Sequence, residues 1–211
     1  MDLRTAVGSV ALRAPVMTAS GTAGHGAEFA NYLDPASLGA VVVKSMKADE
    51  WAGNPAPRVH PTASGMINSV GLQGKGVPHW LEHDLPDLLA TGATVVASIW
   101  GSSVDDYARA AAALAKAAEA RRVRANLKQA LKAGELGLAD VLVRAESDDV
   151  VAMTKILTIL EALPGVGKVK SRRTMASIGI SESRRVQGLG AKQRRALLTA
   201  FGDEVATSND D

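Results

Sequence analysis

Two glycine-containing segments in the C-terminal half have the residue types that hold a phosphate group. The first reads LPGVGKVK (163–170), the second reads RRVQGLGAK (184–192), and cations flank the glycines in both. Glycines allow a backbone to approach a phosphate closely, and the N–H groups at the start of a following helix attract its negative charge. Each segment alone is also compatible with a plain turn between helices. Two of them in one basic region favour phosphate binding.

The charges that support this chemistry are segregated along the chain. Residues 1–115 carry seven basic and ten acidic residues, a net charge of −3, whereas residues 116–202 carry seventeen and eight, a net charge of +9. The last nine residues have a net charge of −4, and we expect residues 203–211 to be an acidic disordered tail. Phe201 is the single aromatic residue of the basic region. Because proteins that bind single strands stack bases on aromatic rings, this composition favours double-stranded DNA contacted through its phosphates.

The elements predicted to position these cations are helices. Residues 102–135 contain no glycine or proline until Gly134 and predict one long helix, capped by Ser102 or Ser103. Its basic residues follow one face, which is equally typical of a solvated helix surface: Arg121, Arg122, Arg124, Lys128 and Lys132. Further helices are predicted over 137–147, over 148–163, from near Lys168, and in the stretch that ends at Phe201.

The N-terminal half has a different pattern, which predicts strands. Residues 3–18 predict a hairpin around Gly8 that leads into a strand, and the apolar runs 38–46 and 93–101 predict buried parallel strands. Between the two runs, the glycine- and proline-rich stretch 51–78 predicts a long loop, and residues 79–92 predict a helix. This order of elements is typical of an α/β fold with a parallel sheet.

Several kinds of protein are excluded or disfavoured by composition. The chain has no cysteine, which excludes disulfides, thiolate metal sites and a cysteine nucleophile, and we expect no metal site. No apolar run is long enough to span a membrane, and the first residues lack a signal-peptide pattern. These features predict a cytoplasmic protein that has no membrane partner.

Four motifs of the N-terminal half resemble the opening of class 1 dihydroorotate dehydrogenase. They read PVMTASGTAGHGAEF, LGAVVVKSM, GNPAPRV and SGMINSVGLQGKGV, in the family's order, within residues 1 to about 108. The resemblance implies a (β/α)8 (TIM) barrel that binds FMN and oxidises dihydroorotate to orotate in pyrimidine biosynthesis. It implies FMN contacts at Ser20, Lys44 and Ser45. It implies orotate contacts at Lys44, Asn68, Ser69, Val70, Gly71 and Leu72. From the residues alone, Lys44 could also simply leave a strand for solvent, and the NSVGL segment could be an ordinary turn.

The chain departs from that family in three respects. It lacks the family's cysteine base, it has Ser98 where the family has asparagine, and the resemblance ends after about three of the eight barrel strands. The later loops that hold the flavin phosphate in such barrels are therefore missing. We expect no catalytic residue and no functional cofactor in this part of the chain. We also expect that this part does not catalyse the family's reaction by itself.

Four motifs of the C-terminal half resemble the actinobacterial integration host factor family. They read AKAAEARRVRANLKQALKAGE, ILEALPGVGKVKS, ISESRRVQGLG and AKQRRALL, and cover about residues 110–202. The resemblance implies a small all-helical, nucleoid-associated protein that binds and bends DNA with low sequence preference. It implies contacts by residues 164–168 and 184–188, which include Val186 and Gln187. Together with the charges, the predicted DNA-binding residues are Pro164, Gly165, Val166, Gly167, Lys168, Lys170, Arg172, Arg184, Arg185, Gly188, Gly190 and Arg194.

The sequence thus predicts a two-part fold that binds double-stranded DNA, with two alternative functions. A truncated α/β part, a TIM-barrel fragment of about three strands (residues 1–108), precedes an all-α domain of the helix-turn-helix type, similar to helix-two-turns-helix or helix-hairpin-helix domains (residues 109–202). The two resemblances meet inside one predicted helix without a linker, which indicates an in-frame gene fusion, made by deletion or by an error in the gene model. The alternatives to DNA binding are a dihydroorotate dehydrogenase fragment that retains FMN, and a fragment that serves as a self-association patch.

Overall fold

The computed structural model describes residues 2–202, which form two compact units. The division falls between Ala117 and Ala118, and we refer to the N-terminal unit and the C-terminal unit accordingly. The predicted acidic tail, residues 203–211, lies outside the described residues. No helix within residues 2–202 has the length and apolar character needed to cross a membrane.

Six short strands occur in the N-terminal unit. They are β1 (Thr5–Val7), β2 (Val10–Leu12), β3 (Val41–Val42), β4 (Val59–Thr62), β5 (Gly65–Asn68) and β6 (Val95–Val96). The predicted first hairpin is present, since β1 and β2 pair in antiparallel orientation and Gly8 takes a φ of +57° in the turn. A positive φ costs glycine little, so Gly8 suits this tight turn.

The predicted parallel sheet is also present, with strands shorter than expected. β3 and β6 pair in parallel, and isolated parallel bridges join Met17 to Ala40 and Met46 to Ile99. Three chain segments therefore run side by side in one direction. The N–H groups of Val41 and Val43 donate to the β6 segment, and the next such bond comes from Met46 to Ser98, so the regular alternation is interrupted after Val43. The Lys44 N–H donates to the Gly24 carbonyl at 2.8 Å.

The prediction of a long loop over 51–78 was wrong. β4 and β5 form an antiparallel hairpin in this stretch, in a register that pairs Val59 with Asn68 and Thr62 with Gly65. All eight strand residues are exposed, so the segment has none of the buried apolar alternation that identifies a strand in a sequence. Pro61 within β4 lowered the expectation of a strand further, since proline is tolerated mainly at sheet edges.

The helical segment that follows begins earlier than predicted. It comprises α1 (Gly76–His79), a π-helical turn (Trp80–Asp84) and α2 (Leu85–Ala90). Short 3-10 turns lie at Glu28–Asn31 and Pro35–Ser37. The core of this unit is made by the parallel segments, this helical segment and one residue of the next helix; its buried members include Val41, Val43, Met46, Val77, Trp80, Leu85, Leu88 and Ala110.

The long predicted helix is confirmed as α3 (Val104–Lys132), which contributes to the core of both units. Ser103 caps its start, because the Ser103 Oγ accepts from the Asp106 N–H at 3.2 Å. The Asp106 carboxylate in turn accepts from the Ser102 N–H at 2.9 Å, and this bond lowers the pKa of Asp106. Both predicted capping residues, Ser102 and Ser103, therefore take part in the cap.

The C-terminal unit is helical throughout its described elements. After α3 come α4 (Leu138–Arg144), α5 (Asp149–Ala152), α6 (Ile156–Leu160), α7 (Lys168–Ile178) and α8 (Ala191–Phe201), with a 3-10 turn at Val186–Gly188. Their apolar faces enclose one core, whose largest buried side chains include Leu131, Ile156, Ile159, Leu160, Met175, Leu197 and Phe201.

The prediction of one continuous helix over 148–163 was wrong. The helix is interrupted between α5 and α6, where Lys155 has an extended backbone with ψ of 132°. The Thr154 hydroxyl bonds to the Val150 carbonyl, at 2.7 Å, and the Ile156 N–H donates to the Arg184 carbonyl, at 3.0 Å. Backbone bonds to a distant segment thus replace those that would continue the helix. The residues whose three-four spacing predicted this helix are nevertheless buried: Val151, Thr154, Ile156, Ile159, Leu160 and Leu163.

Candidate nucleic-acid interface

The first glycine segment forms a tight turn that ends at the start of α7. Gly165 takes a φ of +71°, and Gly167 is the residue that precedes the helix, with a φ of −83°. The first bond within the helix runs from the Ser171 N–H to the Gly167 carbonyl. The N–H groups of Lys168 and Val169 therefore have no acceptor within α7. This geometry is the one that the sequence predicted for holding a phosphate.

The second glycine segment has the same arrangement at the start of α8. Gly190 precedes the helix with a φ of −72°, and the Arg194 N–H donates to its carbonyl at 2.9 Å. Space is open at both helix starts, because a Cβ built on Gly167 or on Gly190 would meet no atom within 4 Å. At the start of α8 the Gly190 N–H donates to the Oε1 of Gln193 at 3.3 Å, so this helix start is partly capped by its own side chain.

The two starts are separated by the length of α7. In the first turn of α8, the Gln193 side chain donates to the carbonyl of Gly179, the residue that ends α7, at 3.2 Å. Eleven helical residues at about 1.5 Å each span about 16 Å. The starts of α7 and α8 would therefore contact two different phosphates.

An isolated antiparallel β-bridge joins Lys155, at the break before α6, to Arg185, just before the 3-10 turn. We name it the 155/185 bridge. The Ile156 N–H donates to Arg184 and the Val186 N–H to Thr154, each at 3.0 Å, so that Lys155 and Arg185 face each other. Side chains of such an antiparallel pair lie next to each other on one face. The bridge brings Lys155, an exposed residue, beside Arg185.

Lys155 is a candidate contact that sequence reasoning missed. The spacing around it predicts the interior of a helix, where its side chain would have no relation to Arg185. Only the break at Thr154 gives Lys155 this position, and the single signal in the sequence was a threonine, which is a modest helix former. Its nearness to Arg185 depends on a contact between segments thirty residues apart.

Three of the predicted phosphate contacts already have partners within the C-terminal unit. A guanidinium N–H of Arg185 donates to the Met153 carbonyl, Arg194 forms an ion pair with Glu146 at 3.7 Å, and Arg172 forms one with Glu182 at 3.4 Å. Arg194 also donates to the Leu189 carbonyl at 3.3 Å. These side chains stabilise the unit as well as supplying positive charge.

Other predicted residues are more available to a ligand. Lys168 and Arg184 are exposed and form no ion pair within residues 2–202. The same is true of Arg173, Lys192 and Arg195, which are not among the predicted DNA contacts. Lys170 is exposed but has an interaction of its own. Val166 is 5% exposed, so only its backbone can face a ligand, whereas Pro164, Gly165 and Gly188 lie at the surface. The individual contacts remain predictions.

Two of the three residues implied for the flavin, Ser20 and Ser45, lie close together in the N-terminal unit, beside Ser98. Hydroxyl groups of Ser20, Ser45 and Ser98 lie at the ends of the three parallel segments and bond to one another, with Oγ–Oγ distances of 2.9, 2.8 and 3.3 Å. Each hydroxyl has two partners within this group of three, so its single O–H donor is already used.

The residues implied for orotate also come together. One open cleft of about 490 Å³ is lined by Asn54 and by all six residues named from the resemblance: Lys44, Asn68, Ser69, Val70, Gly71 and Leu72. The Asn54 side chain donates to the Ser69 carbonyl at 2.7 Å and fixes the wall of this cleft. The geometry suits a small anion beside the Lys44 ammonium.

A second cleft, of about 420 Å³, lies on the other side of Lys44 and includes His25 and His79. Burial lowers the pKa of His25, and the positive charge of Lys44 lowers it further. His25 is therefore neutral at pH 7. Within residues 2–202, no group of three His, Cys, Asp or Glu side chains is arranged to hold a metal ion.

The family model of dihydroorotate dehydrogenase matches residues 2–127. Through this match, the chain belongs to the dihydroorotate dehydrogenase family. Similar proteins include catalytic subunits of dihydroorotate dehydrogenase B (NAD(+)) from Geobacter sp. strain M21, 43% identical over 54% of this chain and 37% of that protein, and from Desulforudis audaxviator, 48% identical over 54% and 38%. The chain spans little more than a third of the length of these relatives.

A second family model, that of the S13-like H2TH domain, matches residues 131–201. A solved structure of sIHF bound to an 8-bp palindromic DNA also matches, with 47% identity over 41% of this chain and 98% of that chain and a TM-score of 0.40. The two-part organisation predicted from the sequence, a dihydroorotate dehydrogenase segment followed by a helical segment of the H2TH type, is confirmed by the two family models.

The residues present do not fit a complete FMN. The serine hydroxyls and Lys44 suit the edge of a flavin ring, but the hydroxyls are already bonded to one another. The later barrel loops that would hold the phosphate lie beyond the three matched strand segments. We therefore derive no reaction step that uses a flavin in this chain.

Proposed function

We propose that residues 109–202 bind double-stranded DNA through its phosphates, with low sequence specificity, and bend it. The observation that carries this proposal is the pair of open, glycine-preceded helix starts at α7 and α8, each within a few residues of exposed cations. Partial positive charge at a helix start and a nearby ammonium or guanidinium group both favour a phosphate. The H2TH match over residues 131–201 supports the same function.

The net charge of +9 over residues 116–202 determines how such binding depends on salt. Each phosphate that a cation neutralises releases condensed counterions, so affinity falls steeply with added salt. The shortage of aromatic residues in this region gives single strands no stacking platform. Duplex DNA is therefore the preferred partner, and a location in the nucleoid follows from it.

Competition binding with the full chain tests this function. A labelled 20-bp duplex is titrated at low salt, and the complex is then challenged with unlabelled duplex or with unlabelled single strand of the same length. We expect the duplex to compete at least about tenfold better, and fluorescence energy transfer between the duplex ends to increase on binding because the DNA bends. Equal competition by the single strand would contradict the proposal, and an unchanged end-to-end distance would contradict bending alone.

For the N-terminal unit we propose a truncated barrel, consisting of its three parallel segments and the helices packed on them. The cleft around Lys44 and Asn68 favours a second candidate function, in which this fragment retains an anion or flavin site of its parent enzyme. The enzyme's activity in pyrimidine biosynthesis requires the remaining barrel strands, so by itself the fragment would be inactive. Its open sheet edges make self-association through this unit a further proposal.

Flavin absorption of the purified chain tests whether the N-terminal unit retains a flavin site. We expect the purified full chain to show no absorption band near the visible flavin maximum and no quenching of added FMN fluorescence at micromolar protein. Stoichiometric FMN in the purified protein would show that the ring site is functional.

A further inference from the structure

Gln187 has a polar side chain that the phosphate contacts do not use. It is exposed, and its Nε2 donates to the Met153 Sδ at 2.9 Å. A thioether sulfur accepts hydrogen bonds and cannot donate them, so the nitrogen end of the amide faces Met153. The Oε1 and the second N–H of Gln187 are left to bind another group.

The backbone that carries Gln187 is fixed on both sides. The Val186 side chain is fully buried, its N–H donates to Thr154, and the Gly188 N–H donates to the Arg185 carbonyl at 3.0 Å. Gln187 therefore projects from a held 3-10 turn, two residues after Arg185 and three before Gly190. A side chain on a rigid backbone loses less conformational entropy when it binds.

Met153 holds two side chains of this segment at once. Its carbonyl accepts from the Arg185 guanidinium and its sulfur accepts from Gln187. Met153 is itself 40% exposed, so burial alone does not account for its position at the break before α6. The residue connects the cation of the 155/185 bridge with the amide of the neighbouring turn.

We propose that Gln187 reads adenine in the major groove and that Met153 is its positioning residue. This inference rests on the proposed DNA binding and adds a sequence preference to it. An amide recognises adenine by accepting from the N6 amino group and donating to N7, which requires one oxygen and one N–H, the two groups that Gln187 has left. One such contact gives a modest preference, which is compatible with phosphates supplying most of the affinity.

The test compares two duplexes that differ in the N7 acceptor of their adenines. Both have the same A·T-rich sequence, and in one every adenine is replaced by 7-deazaadenine, which removes N7 at every register and leaves the phosphates unchanged. We expect the full-length wild-type chain to bind the unmodified duplex about fivefold more tightly. Gln187→Ala should bind both duplexes equally, with an unchanged salt dependence. Gln129→Ala, which alters an exposed amide on α3, is the matched control and should keep the preference.

Met153→Leu tests the positioning role separately. Leucine keeps the apolar volume and the backbone carbonyl but removes the sulfur acceptor, so we expect the preference to fall while binding of the 7-deazaadenine duplex and the melting temperature stay unchanged. A wild-type chain that binds both duplexes equally, or a Gln187→Ala variant that keeps the preference, would overturn this inference while leaving the proposed function intact. Failure of the wild type to bind any duplex at low salt would overturn both.

Discussion

At the residue scale, the cations of the C-terminal unit fall into two groups. Arg172, Arg185 and Arg194 have protein partners, whereas Lys155 and Lys168 form no ion pair with other residues of 2–202. Removing a partnered arginine therefore affects the fold as well as DNA binding. Removing an unpaired lysine is expected to change DNA binding without changing the fold.

Lys155 is the residue where this distinction is tested most simply. We expect Lys155→Gln to lower duplex affinity and to reduce the slope of log affinity against log salt by about one, the effect of one lost phosphate contact. Its melting temperature should match that of the wild type, since Lys155 has an exposed side chain. Arg185→Gln should reduce both affinity and melting temperature because the bond to Met153 is lost. A Lys155→Gln variant with an unchanged slope would show that Lys155 does not touch a phosphate.

Glycines at the helix starts give a second residue-scale prediction. Gly167→Ala adds a methyl group that meets no protein atom at a permitted φ, so the fold should tolerate it at a cost of about 1 kcal/mol for the weaker cap. The methyl group should obstruct a phosphate and lower duplex affinity about tenfold or more. Gly137→Ala, at the corresponding position before α4, is the control and should leave the affinity unchanged. Equal affinities for the two variants would contradict phosphate binding at the start of α7.

At the element scale, what the sequence predicted well depended on local signals. Helix starts at Lys168 and Ala191, the cap at Ser103 and the hairpin at Gly8 all depend on residues a few positions apart. The burial of the residues at three-four spacing, such as Val151, Ile159 and Leu163, was predicted even though the helix itself is broken. The break is set by backbone bonds to Arg184 and Val186, a long-range contact that no local pattern contains.

The candidate sites divide in the same way. The two glycine turns and the cluster of Lys44 with Asn68 were predicted from residue types and from resemblance. The partners of Arg172, Arg185 and Arg194, the bond between Gln187 and Met153, and the place of Lys155 were not, because each joins residues distant in sequence or depends on a side-chain conformation. The exposed hairpin of β4 and β5 was missed since it buries no apolar face.

Helix α3 gives the element-scale prediction. Ala118→Pro removes one backbone bond and clashes with the carbonyl four residues earlier, so α3 should be interrupted at the division between the units. The core of the C-terminal unit takes Leu127 and Leu131 from the later part of α3, so duplex affinity should stay within about twofold of the wild type. Loss of DNA binding by this folded variant would show that the helix must be continuous for function.

At the scale of the whole molecule, the two units have unrelated resemblances and opposite net charge. The N-terminal unit matches an enzyme family yet has only part of its relatives' length, and the hydroxyls of Ser20 and Ser45, two residues implied for the flavin, bond to each other and to Ser98. The C-terminal unit has its own core and both glycine turns. An in-frame fusion accounts for this arrangement, and DNA binding is the activity that we propose for the fused chain.

Affinity of the full chain for a 20-bp duplex, measured by fluorescence anisotropy between about 50 and 300 mM salt, tests this account most directly. We predict binding that weakens steeply as salt is added, with a slope of log affinity against log salt of about −3 or steeper, since several cations replace counterions at different phosphates. A chain that is folded by circular dichroism and does not bind at 50 mM salt, or that binds with no salt dependence, would contradict it.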